Sequence, residues 1–297
     1  MINIGGYDIM GSFSIVTDTA CDMPRAAADK LGIKAVPLKV TLAGKSFDAS
    51  LSGLDIGTES FYDVLRRGTP VKTASPSIDD YIRYFSHQLK KGKDVLYLGF
   101  SSALSGAYNV SLIAAEELRQ EYPDRKIICV DSLCGSMGLS MLIYHCANRM
   151  NDGASIEEVR DYAESIKTRI CHWFTPDDLN FLKRGGRISP AAAAVGSMMN
   201  IKPVIKTEED GKLKVVYKAR GRKLAIAKLV EHMSELYAPE DGDTVFIAHA
   251  DSPDDAQLLA RSITKSCGVE NILISEIGPA LGAHCGPGTI ALFYLSK

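Results

Sequence analysis

No stretch of the 297-residue sequence approaches the roughly 20 consecutive apolar residues that a membrane-crossing helix needs. Nor is there a strong charge of either sign. Lys and Arg total 34 against 36 Asp and Glu, a net charge of −2, so no overall positive field exists to condense on nucleic acid or an anionic membrane surface. Neither nucleic-acid binding nor a membrane span is expected. The opening residues MINIGGYDIMGSF carry no basic start followed by an apolar core, as a secretory signal would, and the expected location is the cytoplasm.

Paired cysteines are missing too. Cys21, Cys129, Cys134, Cys146, Cys171, Cys267 and Cys285 are scattered without a CxxC spacing, and an odd number in so long a chain fits reduced thiols. Cys285, next to His284, is read either as structural filler or as an exposed nucleophile. The patterns GxxxxGKS/T, HExxH and GxSxG do not occur, which removes the usual phosphate loop, zinc protease and hydrolase elbow. Gly286, Gly288 and Ala291 spell GxGxxA, but the six residues that follow are too few for a dinucleotide-binding unit. In IVTDTACD, Asp18 and Asp22 read as helix caps or as metal ligands, and two carboxylates with no nearby His favour capping. No cofactor and no metal are expected.

What is present is an alternation of strands and helices. FSIVTD, VLYLGF and KIICVD read as buried strands, separated by helical patterns over residues 23–31, 59–66, 104–118 and 137–149, which predicts a mostly parallel, doubly wound α/β domain. After the polar, small-residue stretch NDGAS the pattern changes. VIKTEEDGKLKVVYKA reads as two strands turning at Asp210-Gly211, so a second α/β domain with a mixed or antiparallel sheet is expected. The expected division is an extension over 1–13, a first domain over 14–153 and a second over 154–297, with a ligand cleft between the domains.

Hydroxyls gather at two strand-to-helix junctions, the crevice position of open α/β sheets. SSALSG supplies Ser101, Ser102 and Ser105, and TASPS supplies Thr73 and Ser75. Ser101 or Ser102 suits a cap for one helix and Ser75 for the other; three serines exceed what one cap needs, and Thr73 is left free to face the crevice. In GAHCGPGT a lone His284 lies among glycines, which reads either as a tight turn with a surface His or as a loop that lets a ligand or backbone come close. Gly185 and Gly186 read as a helix end, and Arg187 just beyond them suits a carboxylate. Lys218, Arg220, Arg222 and Lys223 form a basic window, either a solvated face or a protein-docking patch.

Taken together, SIVTDTACD, KTASPS, SSALSGAY, VDSLCGSMG, DDLNFLKRGGRIS, IKPVI, KARG and IGPALGAHCGPGTIALFY resemble the DegV family of bacterial fatty-acid-binding proteins, from Ser14 to the C-terminus. The resemblance extends to the lipid-presenting subunit of bacterial fatty acid kinase. It implies a long-chain fatty acid buried between two domains, its carboxylate held by Thr73, Ser105 and His284, with Ser101, Ser102, Gly185, Gly186 and Arg187 as further ligand-site candidates. It also implies a non-catalytic carrier that docks on an ATP-dependent kinase subunit through Arg220. The sequence departs from the family's common pattern at Ala74, Ala103, Ala107 and Cys285, changes that bear on which acyl chain fits. Two rival readings follow from the residues: a serine hydrolase or acyltransferase using Ser105 and His284, with Asp18 as third member, and a docking module built on the basic window.

Overall fold

A computed structural model describes residues 12–54, 56–189, 200–238 and 244–297. The expected N-terminal extension therefore lies outside the described residues as far as residue 11. β1 (Phe13–Asp18), β2 (Lys34–Val36), β6 (Asp94–Gly99) and β7 (Ile127–Asp131) form a wholly parallel sheet in the order β2-β1-β6-β7. Every residue of β1 is buried, as a strand covered on both faces must be. α3 (Ile78–Leu89) and α4 (Ala107–Glu121) cover one face around Tyr81, Phe85, Tyr97 and Leu118. On the other, α5 (Met137–Asn151) and α6 (Ile156–Ile166) pack on β6. The expected doubly wound sheet is thus present.

Three shorter strands, β3 (Leu38–Leu42), β4 (Lys45–Ala49) and β5 (Val71–Ala74), make an antiparallel sheet ordered β4-β3-β5, with Val40 opposite Thr73. α1 (Arg25–Lys30) precedes them in the chain and α2 (Thr58–Arg66) lies between β4 and β5. The second large sheet contains β8 (Ile170–Thr175), β9 (Ile201–Thr207), β10 (Leu213–Arg220), β11 (Thr244–His249), β12 (Asn271–Glu276) and β13 (Ile290–Leu295), ordered β10-β9-β8-β13-β11-β12. Only β11 and β12 run parallel; the other neighbours are antiparallel, which is the expected mixed sheet. α8 (Arg222–Leu236) and α9 (Pro253–Cys267) cover one of its faces through Leu229, Met233 and Leu259. α5 lies against the other. It is apolar around most of its circumference and buried along most of its length, as a helix between two layers must be. Gly138 permits the contact, because a Cβ there would meet the ring of His172 on β8.

Three local readings are corrected. Ser77, not Ser75, caps α3: its hydroxyl accepts from the Asp80 amide while the Asp80 carboxylate accepts from the Ser77 amide, and this reciprocal box outcompetes a cap two residues earlier. Neither Ser101 nor Ser102 caps α4, which starts only at Ala107 after the Ser101 carbonyl has accepted from the Leu104 and Ser105 amides in a preceding turn. The segment around His284 is not a loop but a helix, α10 (Pro279–Cys285).

Candidate functional site

A cavity of about 320 Å³ lies where the parallel strands β6 and β7 end and the second sheet presents its inner face. Phe100, Leu104, Phe174, Leu182, Leu213 and Phe293 supply much of its apolar wall. Thr73, Ser75, Ser105, Arg187 and His284 add polar atoms from β5, the turn before α4, the segment after α7 (Asn180–Arg184), and α10. Chain segments more than 200 residues apart therefore converge on one chamber.

Thr73 Oγ1 and His284 Nε2 stand 2.6 Å apart, with the donor set by the imidazole tautomer. Ser105 Oγ lies 3.4 Å from Ser75 Oγ and accepts from the Ala107 amide at 3.2 Å. Ser75, assigned from sequence to a cap, is thus a wall residue. Burial first, and the neighbouring Arg187 guanidinium second, push the His284 imidazole down to about 4, so it is neutral at physiological pH. Gly185 makes room for it: a Cβ there would sit 2.3 Å from His284 Nδ1. Arg187 donates to the Leu104 carbonyl at 3.1 Å and to the Gly185 carbonyl, which ties the α7 segment to the turn that carries Ser105. His172 also lines the chamber, and sequence reading missed it because a histidine inside an apolar strand gives no local signal. Its Nδ1 pairs with the Ile170 carbonyl at 2.8 Å, Nε2 accepts from the Gly135 amide, and burial pushes it down to about 4.

The remaining candidates stand elsewhere. Ser101 is fully buried and its hydroxyl has no hydrogen-bond partner among the described residues, Ser102 is exposed with its amide on Asp131, and Gly186 takes a φ of 72° as the chain leaves α7. Arg220 is exposed at the end of β10. Of the basic window, Arg222 turns inward to Asp255 at 2.8 Å and to the carbonyls of Thr175 and Gly288, so only Lys218, Arg220 and Lys223 face outward. Cys285 is buried and its thiol is pushed up to about 12 by burial. That is the filler reading, not an exposed nucleophile. Asp18 caps a one-turn helix and accepts from Tyr97 and from the amides of Ala20 and Phe100. It does not orient His284, and no hydrogen bond among the described residues joins His284 to Ser105, so the Ser-His-Asp relay of the hydrolase reading is not assembled. Among the described residues there is also no cluster of metal-ligating side chains and no helix long and apolar enough to cross a membrane.

Fold and chamber together define a class: α/β proteins with a parallel sheet, a separate mixed sheet and a mostly apolar cavity with polar groups gathered among its walls. Residues 12–297 match the family model described as "Uncharacterised protein, DegV family", and the chain belongs to the DegV family. A DegV domain-containing protein of Clostridium perfringens is 39% identical over 286 residues, covering 96% of this chain and 98% of that one. Among solved structures, the DegV family protein from Thermus thermophilus, described by its fatty acid binding, is 28% identical with a TM-score of 0.83 over 96% of this chain and 99% of that one. The Fatty Acid Kinase (Fak) B3 protein of Streptococcus pneumoniae, loaded with linoleic acid, is 24% identical with a TM-score of 0.85 over 96% and 99% of the two chains; that likeness is one of fold.

Proposed function

We propose that the chain binds a long-chain fatty acid, with its tail in the cavity and its carboxylate on Thr73, Ser105 and His284, and presents the head group to an ATP-dependent kinase subunit. The observation that carries this reading is the chamber itself, an apolar hollow with hydroxyls and a neutral imidazole in its walls. The fatty-acid-binding relative from Thermus thermophilus supports the ligand class. Burying a sixteen-carbon tail gains roughly 12 kcal/mol gross at ~0.8 kcal/mol per CH₂, whereas each hydrogen bond to a carboxylate adds ~1.5–3 kcal/mol. The tail therefore sets affinity and the polar groups set orientation. Neutral donors leave the carboxylate nucleophilic, which suits a head group about to be phosphorylated elsewhere. Docking on the kinase runs through Arg220, exposed at the end of β10, and the carrier works in the cytoplasm without a catalytic step of its own.

Mass spectrometry of lipid extracted from the native protein, followed by titration of the delipidated protein with a fluorescent long-chain fatty acid, tests the reading. Co-purifying acyl chains, and about tenfold weaker binding by Thr73→Val for the loss of one hydrogen bond to charge, are expected. A delipidated protein that takes up no acyl chain refutes it. An isolated chain that hydrolyses acyl esters in a Ser105-dependent way would restore the enzyme reading.

A further inference from the structure

Asp22, the last residue of the IVTDTACD segment, has no part in the acyl site as described, yet it joins three distant parts of the chain. It follows the one-turn helix Thr19–Cys21 with a φ of 52° and is only 7% exposed. Its Oδ2 accepts from Ser136 Oγ at 2.6 Å, at the start of α5, and its Oδ1 accepts from the Gly278 amide at 2.8 Å, at the start of α10. Its carbonyl accepts from Ser275 Oγ on β12 at 2.8 Å. Tyr62 on α2 fixes the adjoining Ile277 carbonyl at 2.6 Å. Ser136 and Ile277 themselves line the cavity, and α10 carries His284.

We propose that Asp22 is a positioning residue for the acyl site: by drawing the Gly278 amide and the Ser136 hydroxyl onto one carboxylate, it holds α10 so that His284 stays within reach of Thr73. This rests on the function proposed above only in calling the Thr73 and His284 pair a head-group site. When Asp22 is ionised both donors meet a charged acceptor. Burial nonetheless pushes its carboxyl up to about 7, and no salt bridge among the described residues offsets that. The titratable groups coupled to it are Asp18 and Cys21 on its own segment, Tyr62 on α2 and Cys285 on α10, with Glu276 and Asp251 acting on Tyr62. α5 contributes the hydroxyls of Ser136 and Ser140. None of these is a cation. The enclosed carboxyl holds its proton more tightly than the same carboxyl opened to water, so protonation as pH falls through 7 favours the closed arrangement, with one oxygen then donating to Ser136 Oγ and the other still accepting from Gly278.

The test compares wild type, Asp22→Asn and Asp22→Gly over pH 6 to 8.5, a window above the titration of His284 and His172. Asn stays neutral yet can accept from Gly278 and donate to Ser136; Gly removes the side chain while tolerating the positive φ. The first readout is the dissociation rate of a fluorescent long-chain fatty acid, and the second is hydrogen-exchange protection of the α10 amides in delipidated protein. Expected are a wild-type rate several-fold slower at pH 6 than at pH 8.5, a flat profile for Asp22→Asn, and for Asp22→Gly about tenfold faster release with α10 protection lost. Wild-type behaviour in Asp22→Gly, or a wild-type pH profile retained by Asp22→Asn, overturns the proposal. Should the wild type bind no fatty acid, the function proposed above falls, and α10 protection alone decides the role of Asp22.

Discussion

At the residue scale, the glycines near His284 act by what their missing side chains admit. A Cβ on Gly185 would strike His284 Nδ1, and one on Gly282 would strike the Tyr62 hydroxyl at 2.5 Å. Gly185 has an ordinary helical φ of −70°, so Gly185→Ala adds no backbone strain and its effect isolates the steric contact. The variant should push the imidazole off Thr73 and weaken fatty acid binding about tenfold, the equivalent of one hydrogen bond to charge, with little change in melting temperature. Parallel titration and calorimetry measure the two; an unchanged affinity would show that the imidazole position does not matter. Sequence reading took Gly185 for a helix end and the glycines around His284 for a segment open to close approach, but could not say what approaches, because what a Cβ would hit depends on residues up to about 220 positions away.

At the scale of elements, much of the order was legible because β1, β6 and β7 of the parallel sheet are mostly apolar and the long helices repeat at helical spacing. The hairpin turning at Asp210-Gly211 follows the reading from alternation. α10 was misread, although Pro279 at its first position and Gly286 after it, with a φ of 78°, are the standard start and stop of a helix; its internal Gly282 and the glycines that follow masked the signal. The hairpin also closes the chamber, since its tip reaches the turn before α4 and its strands bring Thr207 and Leu213 to the cavity. Gly211 lies at the tip with a φ of 78°, and a Cβ there would sit 2.5 Å from Ser101 Oγ. Gly268, after α9, has a similar φ of 71° with open space where a Cβ would go. Gly211→Ala should therefore cost more than the ~1 kcal/mol of backbone strain expected for Gly268→Ala, and only Gly211→Ala should weaken acyl binding. Thermal melts and lipid titrations of the two variants decide it, and equal losses in both would mean that the tip does not press on Ser101.

At the scale of the whole molecule, buried titratable groups around the cavity link its contents to the stability of the fold. His172 and His284 are held neutral, pushed from 6.5 down to about 4 by burial. The unfolded chain binds their protons more readily, so the stability they contribute is intact above pH 6.5 and is lost as pH falls toward 4, by ~3 kcal/mol for the fully enclosed His172. Asp22 works in the opposite sense: its carboxyl, pushed from 3.8 up to about 7, favours the folded state increasingly as pH drops below 7 and partly offsets the histidines. A fatty acid carboxylate beside His284 stabilises the imidazolium and raises its pKa in the complex, so lipid binding should be accompanied by proton uptake below pH 6.5. Melting temperatures of delipidated and lipid-loaded protein, measured from pH 8 to pH 4, should both decline below pH 6.5, with the shallower decline in the loaded protein. The comparison rests on slopes, because bound ligand raises the melting temperature at every pH by mass action. In His284→Gln the loaded and delipidated slopes should coincide while the His172 decline remains. Parallel slopes in the wild type would instead place the carboxylate away from His284 and require the lipid to lie the other way round in the chamber.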